Sequence, residues 1–162
     1  MIWLLWLSVA VGLMASAEDL WRREISNVVT ASAFVVGVVL NGYLDGWDGV
    51  VSSLLGGVIG FAVFLLFFVV GGMGGGDVKL MAAFGAIIGK EQVITAAVMT
   101  ALVGGVMALA FLGYRKIRRL VTKPGPELGE QPDRKLFIPY APAISLGVLL
   151  SFLSEEKLWT NV

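Results

Sequence analysis

Long stretches without a charged residue divide this chain and leave few folds open to it. The longest runs from 49 to 76, and five others cover residues 1–17, 25–44, 80–89, 92–114 and 136–154. A helix needs about 20 consecutive apolar residues to cross a bilayer, with a range of about 17–25. Five of the stretches are long enough, and the stretch at 80–89 spans only if Asp77 and Lys79 belong to its end.

The amino-acid composition also predicts a membrane protein. Of the 162 residues, 57% are hydrophobic and 15% are charged, whereas about 45–50% apolar residues is usual in soluble domains. We therefore expect an all-α, polytopic integral membrane protein with a single domain over residues 1–162. Its six transmembrane helices are predicted at roughly 1–18, 27–44, 50–70, 77–89, 92–114 and 138–154, with a polar cytoplasmic loop at 115–136.

The first apolar stretch has a second interpretation. Ala15-Ser16-Ala17 resembles a signal-peptidase site after an apolar segment. However, no Lys or Arg precedes that segment, as a signal peptide would require. We therefore expect a retained first helix.

The basic residues predict the orientation of the helices. If residues 18–24 face the cytoplasm, alternation of the helices places 71–79 and 115–135 on the same side. Ten of the 12 Lys and Arg residues then face the cytoplasm, and only Lys90 and Lys157 face the other side. Because cytoplasmic loops carry an excess of Lys and Arg, both chain termini are predicted on the non-cytoplasmic side.

The absence of certain residue types limits the kinds of site and catalysis that are open to the chain. It contains no cysteine and no histidine, and its formal net charge is zero. Disulfides, the common zinc sites and catalysis by a cysteine or a histidine base are therefore excluded. We expect no metal, no cofactor and no nucleic-acid partner, so that carboxylates, hydroxyls, lysine and arginine remain for chemistry.

A glycine-rich segment leads into one aspartate. The sequence Gly71-Gly72-Met73-Gly74-Gly75-Gly76 is followed directly by Asp77, and a carboxylate in or near a bilayer indicates a functional site. The predicted topology brings Asp19 to the same side of the membrane. Two carboxylates held close together can share a proton, and such a pair can hydrolyse a peptide bond by general acid–base catalysis with water. In the alternative interpretation, each aspartate caps a helix and faces water.

Helix ends predict which of the two aspartates carries the charge. Asp77 would lie at a helix N-terminus, where negative charge is stabilised, and Asp19 at a helix C-terminus, where it is disfavoured. We therefore expect Asp77 to be ionised and Asp19 to be protonated.

Three segments resemble one known family. The segment from Gly74 to Leu80, followed by Gly85 and Gly89, resembles the GxGD motif of the type IV prepilin peptidases, which are polytopic aspartic proteases. Asp19, followed by Ile25-Ser26-Asn27, resembles the first aspartate of that family with its Ile-Pro-Asn. The segment Ile138-Pro139-Tyr140-Ala141-Pro142-Ala143 resembles the start of its last helix.

The resemblance implies an activity, a location and partners. It implies that Asp19 and Asp77 are catalytic and that the chain removes the short basic leader of prepilins. Cleavage would take place at the cytoplasmic face of the inner membrane of a bacterium or archaeon. The implied partners are a prepilin with a basic leader and an apolar helix, membrane lipids and a pilus-assembly platform.

The sequence departs from the family pattern at two places. Ser26 stands where the family usually has proline, and no cytoplasmic insertion with paired CxxC motifs is present. In this respect the chain resembles the short peptidases of tight-adherence (Flp-type) pili. We therefore expect peptide-bond cleavage and no N-methyltransferase activity.

Residues near the aspartates are candidates for binding substrate or shaping loops. They are Gly74, Gly76, Lys79, Asn27, Pro139 and Tyr140. Lys79 would otherwise extend to the membrane interface, Asn27 would cap the second helix, which we favour, and proline is ordinary in a first helical turn. The pairs Gly56/Gly60 and Gly85/Gly89 are interpreted as sites of close helix packing.

Two functions of other classes remain open. In a small transporter, Asp19 and Asp77 would relay protons or cations, although we find no internal repeat of the kind common in transporters. In a non-catalytic protein of the pilus-assembly platform, loss of one aspartate would be expected, and this chain keeps both.

Overall fold

Four helices make up the part of the chain that the structure describes. The computed structural model describes residues 2–71, 73–121 and 140–154. Its helices are α1 (Ile2–Arg22), α2 (Asn27–Val69), α3 (Gly75–Val121) and α4 (Ala141–Leu153). Because these residues form no strand, the predicted all-α class is confirmed for the described part of the chain.

Helices α2 and α3 are each interrupted at one glycine. Gly46 has φ 63° and Gly89 has φ 81°, in the left-handed region that glycine adopts without steric cost. A Cβ atom at Gly49 would overlap the carbonyl oxygen of Asn41, so the chain folds back sharply around Gly46. The breaks divide α2 and α3 into two segments each, at the places where the sequence predicts separate helices.

The described helices have the apolar character of a membrane protein. By length and composition, Ile2–Arg22, Asn27–Val69 and Gly75–Tyr114 each suffice to cross a membrane, while Ala141–Leu153 is apolar but shorter. Many large apolar side chains, such as Trp3 and Leu109, are exposed on the outside. Water would disfavour such a surface, so the chain is an α-helical membrane protein.

Helix α3 is longer than expected at its C-terminal end. The sequence predicts a polar loop at 115–136, but α3 continues to Val121. Arginine, lysine and leucine are good helix formers, which explains why the helix extends into the basic segment. Residues 122–136 of the predicted loop lie outside the described residues.

Helices α2 and α3 pack closely through glycines. A Cβ atom at Gly56 would overlap the carbonyl oxygen of Gly85, and a Cβ atom at Gly85 would overlap that of Gly56. At Gly60 a Cβ atom would lie 2.6 Å from the carbonyl oxygen of Met81, and at Gly89 it would lie 2.8 Å from Ser52 Oγ. Close helix packing at these glycines, predicted from their spacing, is confirmed.

Helix α4 runs antiparallel to α1 and packs against it. The Ser145 hydroxyl donates a hydrogen bond to the Gly12 carbonyl (3.3 Å), and the Ala141 N–H reaches Asp19 at the other end of the contact. This pairing places the first residues of α4 beside the last turn of α1. It brings together segments that lie more than a hundred residues apart in the chain.

Candidate active site

Asp19 lies in the last turns of α1 and is buried. Only 2% of its surface is exposed, and its Oδ2 atom accepts a hydrogen bond from the backbone N–H of Ala141 (3.1 Å). Ala141 is the first residue of α4, whose N-cap is Tyr140. The Asp19 carboxylate therefore satisfies one of the N–H groups that a helix start leaves without a partner.

Asp77 lies in the first turn of α3 and is also buried. Its exposed fraction is 7%, and its Oδ2 atom accepts a hydrogen bond from the N–H of Gly74 (3.0 Å). In return, the Asp77 N–H donates to the Gly74 carbonyl oxygen (3.2 Å). The side chain thus reaches back to the residue before the helix, as the acidic residue of a capping box does.

The two aspartates line one cavity. Its volume is about 450 Å³, and its wall is formed by Asp19, residues 22–27, residues 74–77 and Lys79. The wall thus combines the end of α1, the turn to α2 and the start of α3. The structure brings together Asp19 and Asp77 with Gly74, Gly76, Lys79 and Asn27, six of the eight residues selected from the sequence.

The position of α4 changes the electrostatic expectation for Asp19. The sequence places Asp19 at the C-terminal end of its own helix, which disfavours negative charge. The hydrogen bond from Ala141 shows that its carboxylate also faces the N-terminal end of α4, which stabilises negative charge. Both aspartates therefore contact a helix N-terminus, and helix ends alone do not distinguish which one is ionised.

The turn between α1 and α2 is held by residues next to Asp19. The Glu18 carboxylate accepts the backbone N–H of Ser26 (2.9 Å). Arg23 adopts φ 57° and donates its N–H to the Asp19 carbonyl oxygen (3.0 Å), which ends α1. The adjacent acidic residues thus have separate roles, since Glu18 fixes the turn while Asp19 faces the cavity.

Ser26, not Asn27, caps α2. The Ser26 hydroxyl accepts the N–H of Val29 (3.2 Å), so the expected capping by Asn27 is wrong. Serine and asparagine are equally good N-caps, and two such residues in sequence leave the helix start uncertain by one position. Asn27 instead accepts a hydrogen bond from the Lys79 ammonium group through its Oδ1 atom (2.8 Å), which links the starts of α2 and α3.

The remaining selected residues have distinct positions. Gly76 packs against the loop after α1, since a Cβ atom there would lie 3.3 Å from the Ile25 Cβ atom. Tyr140 lines a separate, apolar cavity beside the catalytic candidates. Pro139 lies outside the described residues. Sequence reasoning did not identify the roles of Glu18 and of the Ala141 N–H.

Comparison with known proteins gives the family. The model of the type IV leader peptidase family matches residues 3–109. A preflagellin peptidase of Methanocaldococcus jannaschii is 41% identical over 90 residues, which are 50% of this chain and 36% of the relative. A preflagellin peptidase of Methanococcus voltae is 36% identical over 90 residues, which are 51% of this chain and 38% of the relative.

A bacterial relative aligns with a longer part of this chain. The prepilin leader peptidase/N-methyltransferase of Bacillus subtilis is 32% identical over 118 residues, which are 71% of this chain and 40% of the relative. The chain thus matches 36% to 40% of the length of these three curated relatives. No solved structure gave a significant match. Since the family model covers well over half of the residues, including Asp19 and Asp77, the chain belongs to the type IV leader peptidase family.

Proposed function

We propose that this chain is a membrane-embedded aspartic endopeptidase that removes the short basic leader of Flp-like prepilins. The observation that carries the proposal is the shared cavity, in which two buried aspartates from different helices face one space of about 450 Å³. Buried carboxylates are rare unless they are paired or functional. The names of the relatives, two preflagellin peptidases and a prepilin leader peptidase, support the same reaction.

The proposed chemistry uses the two carboxyl groups and one water molecule. The ionised carboxylate takes a proton from the water, whose oxygen attacks the carbonyl carbon of the scissile peptide, while the protonated carboxyl group donates to the carbonyl oxygen. The tetrahedral intermediate then collapses as the C–N bond breaks. The leaving nitrogen takes a proton from one carboxyl group, while a hydroxyl group of the intermediate gives its proton to the other carboxylate. The products are a carboxylic acid and an amine, and the pair is again singly protonated.

The membrane arrangement is part of the proposal. We propose one membrane domain in which the six helical segments span the bilayer and both chain termini are non-cytoplasmic. The cavity then opens at the cytoplasmic face of a bacterial or archaeal inner membrane. The excess of Lys and Arg on one side supports this orientation, and Arg22, Arg23 and Lys79 at the cavity agree with it.

The proposed substrate arrives as a helix and must unwind at the cut. A prepilin places a basic leader in the cytoplasm and an apolar helix in the bilayer, where backbone hydrogen bonds shield the peptide carbonyls. Local unwinding would expose the scissile carbonyl to the two aspartates. Lipids and a pilus-assembly platform are further proposed partners. Methyl transfer is not proposed: the resemblance associates it with paired CxxC motifs, and these 162 residues contain no cysteine.

The test is cleavage of a purified Flp-like prepilin in liposomes, with the product mapped by mass spectrometry. The proposal predicts one cut, between the basic leader and the apolar segment, and no cut with the Asp77→Asn variant. If folded wild-type protein in liposomes cuts no prepilin, the proposal is wrong. Ion flux across the same liposomes, lost in the Asp77→Asn variant, would then favour the transporter.

A further inference from the structure

A second, apolar cavity lies beside the catalytic candidates. It has a volume of about 230 Å³ and lies among the C-terminal part of α2, the second half of α3 and the start of α4. We call it the apolar groove and define it by six of its lining residues: Phe64, Phe67, Met73, Ala101, Gly105 and Tyr140. The rings of Phe64 and Phe67 meet edge to face, with centroids 6.0 Å apart. The groove is therefore walled mainly by aromatic and small side chains.

Two residues of the apolar groove are sequence neighbours of the residues whose N–H groups bind Asp19 and Asp77. Met73 directly precedes Gly74, whose N–H binds Asp77. Tyr140 directly precedes Ala141, whose N–H binds Asp19. Each carboxylate is therefore held by a residue whose immediate neighbour lines the groove. A substrate side chain in the groove must belong to a residue close to the bond that the aspartates cut.

The two cavities differ in polarity. The cavity of Asp19 and Asp77 is lined by charged groups that include Arg22, Arg23 and Lys79, whereas none of the groove's lining residues carries a charge. Phe67, Ala101 and Gly105 are exposed, so the groove opens on the apolar outer surface of the helices. A substrate that changes from polar to apolar at the cut would match this change of lining.

On the basis of the proposed function, we infer that the apolar groove binds the first large apolar side chain on the carboxyl side of the cut. The apolar part of the substrate lies in the bilayer, the side to which the groove opens. The volume is sufficient, since a cavity of about 150 Å³ already holds a benzene molecule. Filling this pocket would select substrates whose membrane segment begins with a large apolar residue.

Two glycines of α3 provide a matched test. A Cβ atom at Gly105 would meet nothing within 4 Å, although Gly105 lines the groove. A Cβ atom at Gly113 also meets nothing within 4 Å, and Gly113 does not line the groove. Gly105→Leu therefore fills the groove from an open position, while Gly113→Leu makes the same change on the same helix elsewhere.

The experiment compares two prepilins that differ only in the first residue after the cut, phenylalanine or alanine. We expect Gly105→Leu to lower the ratio of kcat/KM for the phenylalanine substrate to that for the alanine substrate by about tenfold or more, since pocket filling discriminates at this level per group. Gly113→Leu is expected to keep the wild-type ratio. An equal ratio in both variants overturns the inference, whereas a wild-type protein that cuts neither substrate overturns the proposed function instead.

Cross-linking tests the same contact without filling the groove. The Asp77→Asn protein is mixed with a prepilin that carries a photoreactive phenylalanine analogue directly after the cut. After irradiation, we expect adducts on Phe67, Met73 or Tyr140. Adducts confined to the groove between α2 and α3 that is lined by Phe34, Val35 and Phe61 would overturn the inference, even if Gly105→Leu fails to fold.

Discussion

The two ends of the helix bundle both carry carboxylates around a cavity, yet they differ in burial. At one end, Asp19 and Asp77 line a cavity of about 450 Å³. At the opposite end, where α2 and α3 are interrupted, Asp45, Asp48 and Glu91 line a cavity of about 340 Å³. Asp19 and Asp77 are 2% and 7% exposed, whereas the three carboxylates at the opposite end are exposed.

The carboxylates at the two ends also differ in the hydrogen bonds that they accept. Asp19 and Asp77 each accept a backbone N–H from a residue at a helix start. Within residues 2–71, 73–121 and 140–154, the carboxylates of Asp45, Asp48 and Glu91 accept no hydrogen bond from the protein. A solvated acidic cluster needs no function, whereas burying a carboxylate is costly. This difference supports placing the proposed chemistry at the end that holds Asp19 and Asp77.

The largest effect is expected when the same substitution, Asp to Asn, is made at the two ends of the helix bundle. Asp19→Asn and Asp77→Asn each remove a proposed acid or base while keeping size, so we expect prepilin cleavage to fall at least about 100-fold. Asp45→Asn and Asp48→Asn are the matched controls and are expected to cleave at the wild-type rate. Single-turnover cleavage in liposomes measures all four. Comparable losses at the two ends would remove the distinction between them.

The second prediction assigns a structural role to the interrupted end. Gly49→Ala would push a Cβ atom into the Asn41 carbonyl oxygen at the sharp reversal of α2, which we expect to lower the free energy of unfolding by about 1–3 kcal/mol. Gly113→Ala, which meets nothing within 4 Å, is expected to be stabilising by up to about 1 kcal/mol, because alanine is the better helix former. Unfolding in detergent gives both values. A Gly49→Ala protein that is as stable as wild type would contradict the predicted overlap.

The third prediction concerns the turn beside Asp19. Glu18→Ala leaves the Ser26 N–H without its acceptor, and we expect stability to fall by about 1 kcal/mol. Glu18→Gln keeps a carbonyl oxygen in the same place and should recover most of that loss. Thermal unfolding of the two variants tests this order. Equal losses would indicate that the charge of Glu18, rather than its hydrogen bond, stabilises the turn.

The smallest effect is expected at Lys79, on the exposed rim of the cavity that Asp19 and Asp77 line. Lys79→Met keeps the apolar stem of the side chain but loses the hydrogen bond to Asn27. Because the pair is exposed, we expect the free energy of unfolding to fall by less than about 1 kcal/mol. Asn27→Ala should lower the free energy of unfolding by a similar amount, and the double variant should lower it by no more than either single substitution. Additive losses in this cycle would show that the two side chains act independently.

Much of the architecture follows from local sequence patterns. Uncharged stretches of bilayer length predict apolar helices, and the glycine spacing in α2 and α3 predicts their close packing. The segment from Gly74 to Asp77 indicates a functional site because glycines precede a carboxylate at a predicted helix start. All of these signals lie within one or two neighbouring segments of the chain.

The features that the sequence did not predict depend on contacts between distant segments. The hydrogen bond from Ala141 to Asp19 joins residues 122 positions apart, and only the packing of α4 on α1 creates it. The apolar groove likewise needs Phe67 and Tyr140 from different helices. The choice of Ser26 over Asn27 as helix cap is a local feature, but helix starts are uncertain by a residue or two in any assignment.

The shared cavity of Asp19 and Asp77 is tested most directly by cross-linking these two positions. Because the chain contains no cysteine, the double variant Asp19→Cys/Asp77→Cys carries only the two introduced thiols, as does the control Asp45→Cys/Asp77→Cys. Both are treated in liposomes with a short thiol-to-thiol cross-linker and analysed by mass spectrometry. The structure predicts an intramolecular link between positions 19 and 77 and none between 45 and 77. Cross-linking of the control alone would contradict the account.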